Sequence, residues 1–313
     1  MKAINKLTIV TIAAIAVAFS CSGSKVYDPA QDDKNKKDPV ENVGPEPEPE
    51  TNTNTENENS GDKVSAPPST LTQWLDGKES PLDPFYKKYL DCDGLPILSS
   101  DKVRDTSLYQ ARYIVREMLK RIPKAREEMI KCHFRIGVVG YKENITDLPE
   151  CKMMPIWWPD TDWDARGRGY GATEAIPVMS IGEENLVKVE VSGYTERYWS
   201  ESIMVHEFAH NVDFALRRVD SNFKKAIEDA YKNAKSKGLW KGTYSMDNDA
   251  EYFAEGAQAW YNTCRMEVPR VNGSGKFKLK TRQQLKDYDQ ELYDVLASIF
   301  PEEYLHGYHF DFE

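Results

Sequence analysis

The chain has 313 residues and a net charge of −10, and this acidic balance argues against a surface that tracks nucleic-acid phosphates. Its five cysteines contain no Cys-x-x-Cys pair, which argues against a cysteine-rich metal knot. Hydropathy then divides the chain into a leader, a tether and one domain-sized remainder.

Residues 1–20 carry Lys2 and Lys6, an apolar run from Leu7 to Phe19, and small Ser20. That is the pattern of a secretory signal peptide, and the run is too short to span a bilayer comfortably. Cys21 follows Ala18-Phe19-Ser20 as in a bacterial lipobox, where the cysteine is lipidated and becomes the new N-terminus. The protein is therefore expected to be exported and lipid-anchored to a bacterial membrane, at the outer membrane or cell surface. An ordinary signal peptide with an incidental cysteine is the alternative. Residues 21–70 hold 11 acids against 5 lysines, with the run Pro45-Glu46-Pro47-Glu48-Pro49-Glu50 and almost no large apolar side chains. Such a segment cannot bury enough surface to offset its ordering entropy, and it is expected to be a disordered tether.

Residues 71–313 are enough for one large domain or two small lobes around a cleft. No internal repeat is visible. The helical spacing of Tyr109, Ile114, Val115, Met118 and Leu119 predicts helix over 106–131, broken at Pro123. Residues 133–139 and 187–191 read as strands. Between them lies an irregular, aromatic-rich stretch over 147–173. Helices are predicted over 199–217, 221–237 and 249–262, and one or two more over 282–300. The fold class is α+β: a small strand-containing lobe followed by a mostly helical lobe. Cys92, Cys132, Cys151 and Cys264 allow either buried thiols or two disulfides.

In His206-Glu207-Phe208-Ala209-His210 the histidines stand four apart, on one face of a helix, where both can reach one ion. Val205, Phe208, Ala209, Val212 and Leu216 give the same helix a separate apolar face. Zinc in a catalytic site takes three protein ligands and keeps one open position, and Glu207 is placed to take a proton from a water held there. A third ligand is needed. Glu251 and Glu255 lie four apart on a later helix whose packed face is Phe253, Ala257 and Trp260.

His206 to His210 followed by Glu251 resembles the gluzincin zinc peptidases. The segment from Tyr244 to Glu255 is similar to the catalytic domain of the anthrax lethal-factor type, where a tyrosine stands seven residues before the glutamate ligand and a second glutamate four residues after it. Tyr244, Glu251 and Glu255 match both spacings. The resemblance spans about residues 202–261. It implies one zinc per chain held by His206, His210 and Glu251. It implies Tyr244 as donor to a developing oxyanion, and Glu255 as the acceptor that orients a ligating imidazole. A broader group of secreted proteins with this zinc domain resembles the chain at 162–169, 183–186, 238–242 and 287–289.

The expected function is a zinc-dependent metallopeptidase acting on a peptide or protein substrate, with Glu207 and Tyr244 as catalytic residues. The alternative is a surface-anchored binding protein that keeps a non-catalytic zinc. Gly167, Gly169 and Gly171 form a Gly-x-Gly-x-Gly run without the Lys-Ser/Thr of a phosphate loop, so no nucleotide is expected, and a loop or edge near the cleft fits better. Trp157, Trp158 and Trp163 are read as lining a cleft or packing a long loop. Asp213 is expected to be solvated, and His306 and His309 to lie on a surface tail.

Overall fold

The computed structural model describes residues 62–310 except 272. The leader, Cys21 and most of the tether lie outside the described residues. The described residues begin at Asp62, nine residues before Leu71. Ser65 bridges Tyr89 as an added strand residue, Val64 packs against the core, and Asp62 pairs with Arg112. Three contacts of this kind order a polar segment that composition alone marks as free.

The described elements, in chain order, are β1 (Thr72–Leu75), β2 (Lys78–Pro81), β3 (Lys88–Cys92), β4 (Leu95–Ser99), α1 (Asp105–Leu119), α2 (Pro123–Lys131), β5 (Arg135–Val139), the single turns α3 (Met154–Trp157) and α4 (Trp163–Arg166), β6 (Gly169–Tyr170), β7 (Val178–Gly182), α5 (Ile203–Val219), α6 (Ser221–Lys237), α7 (Asp249–Trp260), β8 (Met266–Pro269), β9 (Lys276–Leu279), α8 (Arg282–Tyr288) and α9 (Gln290–Ile299). The mixed sheet runs β3-β4-β5-β7-β6. Its three central strands are parallel and its two edge strands antiparallel. The hairpins β1-β2 and β8-β9 stand apart from it.

The sheet is covered on both faces, which is why its strands are nearly all buried. Ile97, Ile136, Val138, Met179 and Ile181 point towards α1, α2 and α5. Leu98, Val139 and Val178 point the other way, into a second core built by 145–166. Trp157, Trp158, Trp163 and Tyr170 make an edge-to-face ladder at the margin of this second core. These tryptophans therefore pack a long loop.

Two sequence expectations fail here. Residues 187–191 are not a strand. The β7 edge they would need is already taken by β6, and the chain leaves β7 through a turn at Glu183–Asn185. Strands β1 to β4, β7, β8 and β9 were not read from the sequence, and Val178–Gly182 is the one that matters for the site. The helices hold to within a few residues. Predicted helix 282–300 divides at Asp289, whose carboxylate caps α9 and accepts from Trp240 Nε1 at 2.8 Å and Tyr252 Oη at 2.6 Å. The Gly238–Gly242 loop and the Asp287–Asp289 segment are thus two halves of one buried joint. All four cysteines of the described residues are free thiols.

Candidate metal centre

Helix α5 carries the two histidines through the middle of the molecule. Ser202 caps it, accepting from Val205 N at 3.3 Å. Asn185 Oδ1 accepts a second free amide at its start, Met204 N, at 3.1 Å. Eleven of its 17 residues are buried, because β6 and β7 cover one side and α7 the other. Asn248 caps α7, accepting from Glu251 N at 2.9 Å, which places Glu251 in the first turn facing α5.

His206 Nε2, His210 Nε2 and Glu251 Oε2 converge. The His206–His210 and His206–Glu251 separations are both 3.2 Å, and His210–Glu251 is 3.3 Å. Among the described residues these three make the one cluster of metal-ligating side chains. The triangle itself tests for an ion. Zinc bonds of 2.0–2.2 Å in a tetrahedron imply ligand atoms about 3.3–3.6 Å apart, and this triangle lies at the short end of that range. Each of the three atoms can turn a lone pair inward, and an ion at the centre would satisfy all three at once. The donor set, two imidazoles and a carboxylate, suits zinc.

The triangle is well shielded. His206 is 5% exposed and Glu251 1%. Burial raises the carboxyl of Glu251, but the charges and hydrogen bonds of the two histidines outweigh this and hold it well below the usual range. Glu255, one turn on, approaches the other edge of the His206 ring, Oε1 to Nδ1 at 3.6 Å. That is beyond hydrogen-bond length, but it is the nitrogen opposite the triangle, and an Nδ1–H there leaves Nε2 free for the triangle. Burial pushes Glu255 up to about 7, against the pull of His206.

Glu207 is 3% exposed, and burial raises its carboxyl while the two histidines pull it down. It takes a hydrogen bond from the Gly171 backbone, and its Oε2 has no partner. Tyr244 lies in a short turn before α7, with its ring nearly parallel to that of His206 and centroids 6.2 Å apart. All six residues singled out in the fold's sequence are therefore gathered in one place.

The glycine run is the part of the site that motif reading underused. Gly169 lies on the edge strand β6 and Gly171 just past its end, where the chain presses on α5. A Cβ on Gly169 would stand 2.7 Å from Ile203 Cγ2 and 3.0 Å from Glu207 Cγ, and one on Gly171 3.0 Å from His210 Cβ. Asn211 Oδ1 accepts from Ala172 N at 2.9 Å and fastens the same segment to the metal helix. A run of small residues two apart, ahead of a metal helix, is the signal that could have pointed to it.

Two other residues differ from expectation. Asp213 is 4% exposed and paired with Arg217, so it is not a solvated acid. His309 is 3% exposed and meets Glu196 Oε1 at 3.1 Å, because the C-terminal segment folds back on the loop that leads into α5. His306 is exposed, as expected.

The family described as anthrax toxin lethal factor, N- and C-terminal domain, matches residues 107–267, a span that includes α1 to α7 and the whole metal centre. No curated protein and no solved structure matches the chain.

Proposed function

The chain belongs to the anthrax toxin lethal factor family, a zinc metalloprotease family, and from that we propose that it is a gluzincin-type, zinc-dependent peptidase that hydrolyses peptide bonds. The observation that carries the reading is the 3.2–3.3 Å triangle of His206, His210 and Glu251 with the carboxylate of Glu207 beside it. Zinc, when bound, would supply a Lewis acid for the scissile carbonyl and bring a water towards ionisation near neutral pH.

The side chains do the rest. As water adds to the carbonyl carbon, its proton passes to Glu207, whose Oε2 is the oxygen left without a partner. Burial favours the protonated form, so the proton is held there until the C–N bond breaks and then goes to the leaving nitrogen. The Tyr244 hydroxyl serves as donor to the carbonyl oxygen as charge develops on it. Glu255 keeps the His206 ring turned with Nε2 inward. A binding protein that kept zinc only for stability would have no use for a buried, half-satisfied Glu207, since burying such a group costs stability.

The leader and Cys21 support an exported protein held to a bacterial membrane by lipid, with the acidic, Pro-rich tether setting the distance to the domain. The test of activity is cleavage of a peptide library by the full chain with zinc, using Glu207→Gln as control. Cleavage by the wild type that disappears in the variant supports the reading. Cleavage that persists in the variant, or none by a zinc-loaded wild type, overturns it.

A further inference from the structure

Arg217 lies two turns beyond His210 on α5, at the end of the metal centre. Its Nε meets both carboxylate oxygens of Asp213, at 2.8 and 2.7 Å. Its Nη1 reaches Asp249 Oδ2 on α7 at 3.1 Å and Glu228 Oε1 on α6 at 3.7 Å. One guanidinium thus joins the helix that carries the histidines to the helix that carries Glu251, and braces both against a third.

The attachment point matters. Asp249 is the first residue of α7 and stands two residues before Glu251. Tyr244 lies in the short turn just upstream. The later turns of α7 are fixed by buried Tyr252, Phe253, Ala254 and Ala257, but Asp249 and Ala250 are only half-buried, so apolar packing does not fix the first turn. What does hold it is polar: the Asn248 cap, the convergence of Glu251 on the histidines, the Tyr231 hydroxyl donating to Met246 O at 2.9 Å, and the Arg217–Asp249 pair. Arg217 itself is fixed before it meets α7, because both oxygens of the buried Asp213 grip it on its own helix. A guanidinium presents donors in a rigid plane and can satisfy two acids in fixed directions, whereas an ammonium is a point charge on a flexible stem.

We propose that Arg217 is a positioning residue for the metal centre: held by Asp213, it fixes the first turn of α7 through Asp249 and so sets where Glu251 and Tyr244 stand relative to His206 and His210. The proposal rests on the zinc reading above. It explains why a buried acid and a half-buried arginine are paired beside the proposed zinc site, where neither contacts the reacting atoms.

The test uses the full chain. Zinc affinity is measured by competition with a chelator for wild type, Arg217→Met, Arg217→Lys, Asp249→Asn and the Arg217→Met/Asp249→Asn pair. Thermal unfolding of the metal-free proteins is measured alongside. Arg217→Met should weaken zinc binding by roughly 10–100-fold, the range for residues that orient ligands. Asp249→Asn should cost a similar factor, and the double variant should be no worse than the weaker single, because both act through one contact. Arg217→Lys should fall between wild type and Arg217→Met. A merely structural salt bridge would lower the unfolding temperature and leave the affinity of the folded protein unchanged. Wild-type affinity in Arg217→Met, or fully additive losses in the pair, would overturn the proposal. If Arg217→Met does not fold, the half-exposed Asp249→Asn decides alone, and unchanged affinity there overturns it. A wild type that binds no zinc defeats the metal reading itself, and the proposal with it.

Discussion

Glu255 stands behind His206, its Oε1 3.6 Å from Nδ1 of the imidazole. Glu251, one turn earlier on the same helix, faces Nε2 of that ring at 3.2 Å. Two carboxylates four residues apart thus address opposite edges of one imidazole, and they should fail differently. After dialysis at fixed free metal, Glu251→Gln should lose nearly all zinc, as should His206→Ala. Glu255→Gln should bind zinc or turn over roughly 10–100-fold less well. Glu207→Gln should keep both zinc and fold and lose turnover. If Glu255→Gln empties the centre while Glu251→Gln does not, the ligand assignment is reversed.

The contact between the edge strand and the metal helix leaves no room for a side chain at Gly169. Gly169→Ala would drive a Cβ to 2.7 Å from Ile203 Cγ2 and 3.0 Å from Glu207 Cγ. Overpacking of this kind costs about 1–3 kcal/mol and displaces the neighbours, here including the proposed base. Denaturant unfolding should show the loss, and adding Ile203→Ala should recover part of it. An unchanged unfolding midpoint in Gly169→Ala would mean that the strand is free to move away from the helix.

A pH dependence follows from Asp213. Burial pushes its carboxyl from 3.8 up to about 6, against the attraction of Arg217. Between these values the folded protein binds the proton more readily than the unfolded chain does. The stability this carboxyl contributes is therefore fully present below about pH 4 and is lost as pH rises through about 6. Two units correspond to a loss on the order of 3 kcal/mol. Urea midpoints of metal-free wild type and Asp213→Asn, compared from pH 4 to 7, should show the wild type weakening relative to the variant over that window. A difference that stays constant with pH would refute the assignment.

The proposed anchor is separable from the fold, because Cys21 is 41 residues in sequence from Asp62, the first described residue. In a bacterial host that lipidates such proteins, Cys21→Ser should move the protein from the membrane fraction to the soluble one without altering its zinc content. Retention in the membrane fraction would show that something other than lipid on Cys21 holds it.

The chemistry of this protein was legible in its sequence because it is local. Helical periodicity alone puts His206 and His210 on one face and Glu251 and Glu255 on another. What stayed hidden depends on partners distant in the chain. The buried strand Val178–Gly182 reads as a short apolar run until β5 and β6 flank it, while the better alternation at 187–191 has no free sheet edge to pair with. Asp213 and His309 look like surface residues until Arg217 and Glu196 meet them. Gly169 and Gly171 read as loop glycines until α5 is laid against them. The sequence determined which side chains are the candidates to bind and react, through spacings within single helices. Only the tertiary structure decided the 3.2–3.3 Å convergence of two helices, the edge strand pressed on the base, and the arginine that joins them, because each needs atoms from segments dozens of residues apart to meet within hydrogen-bond reach.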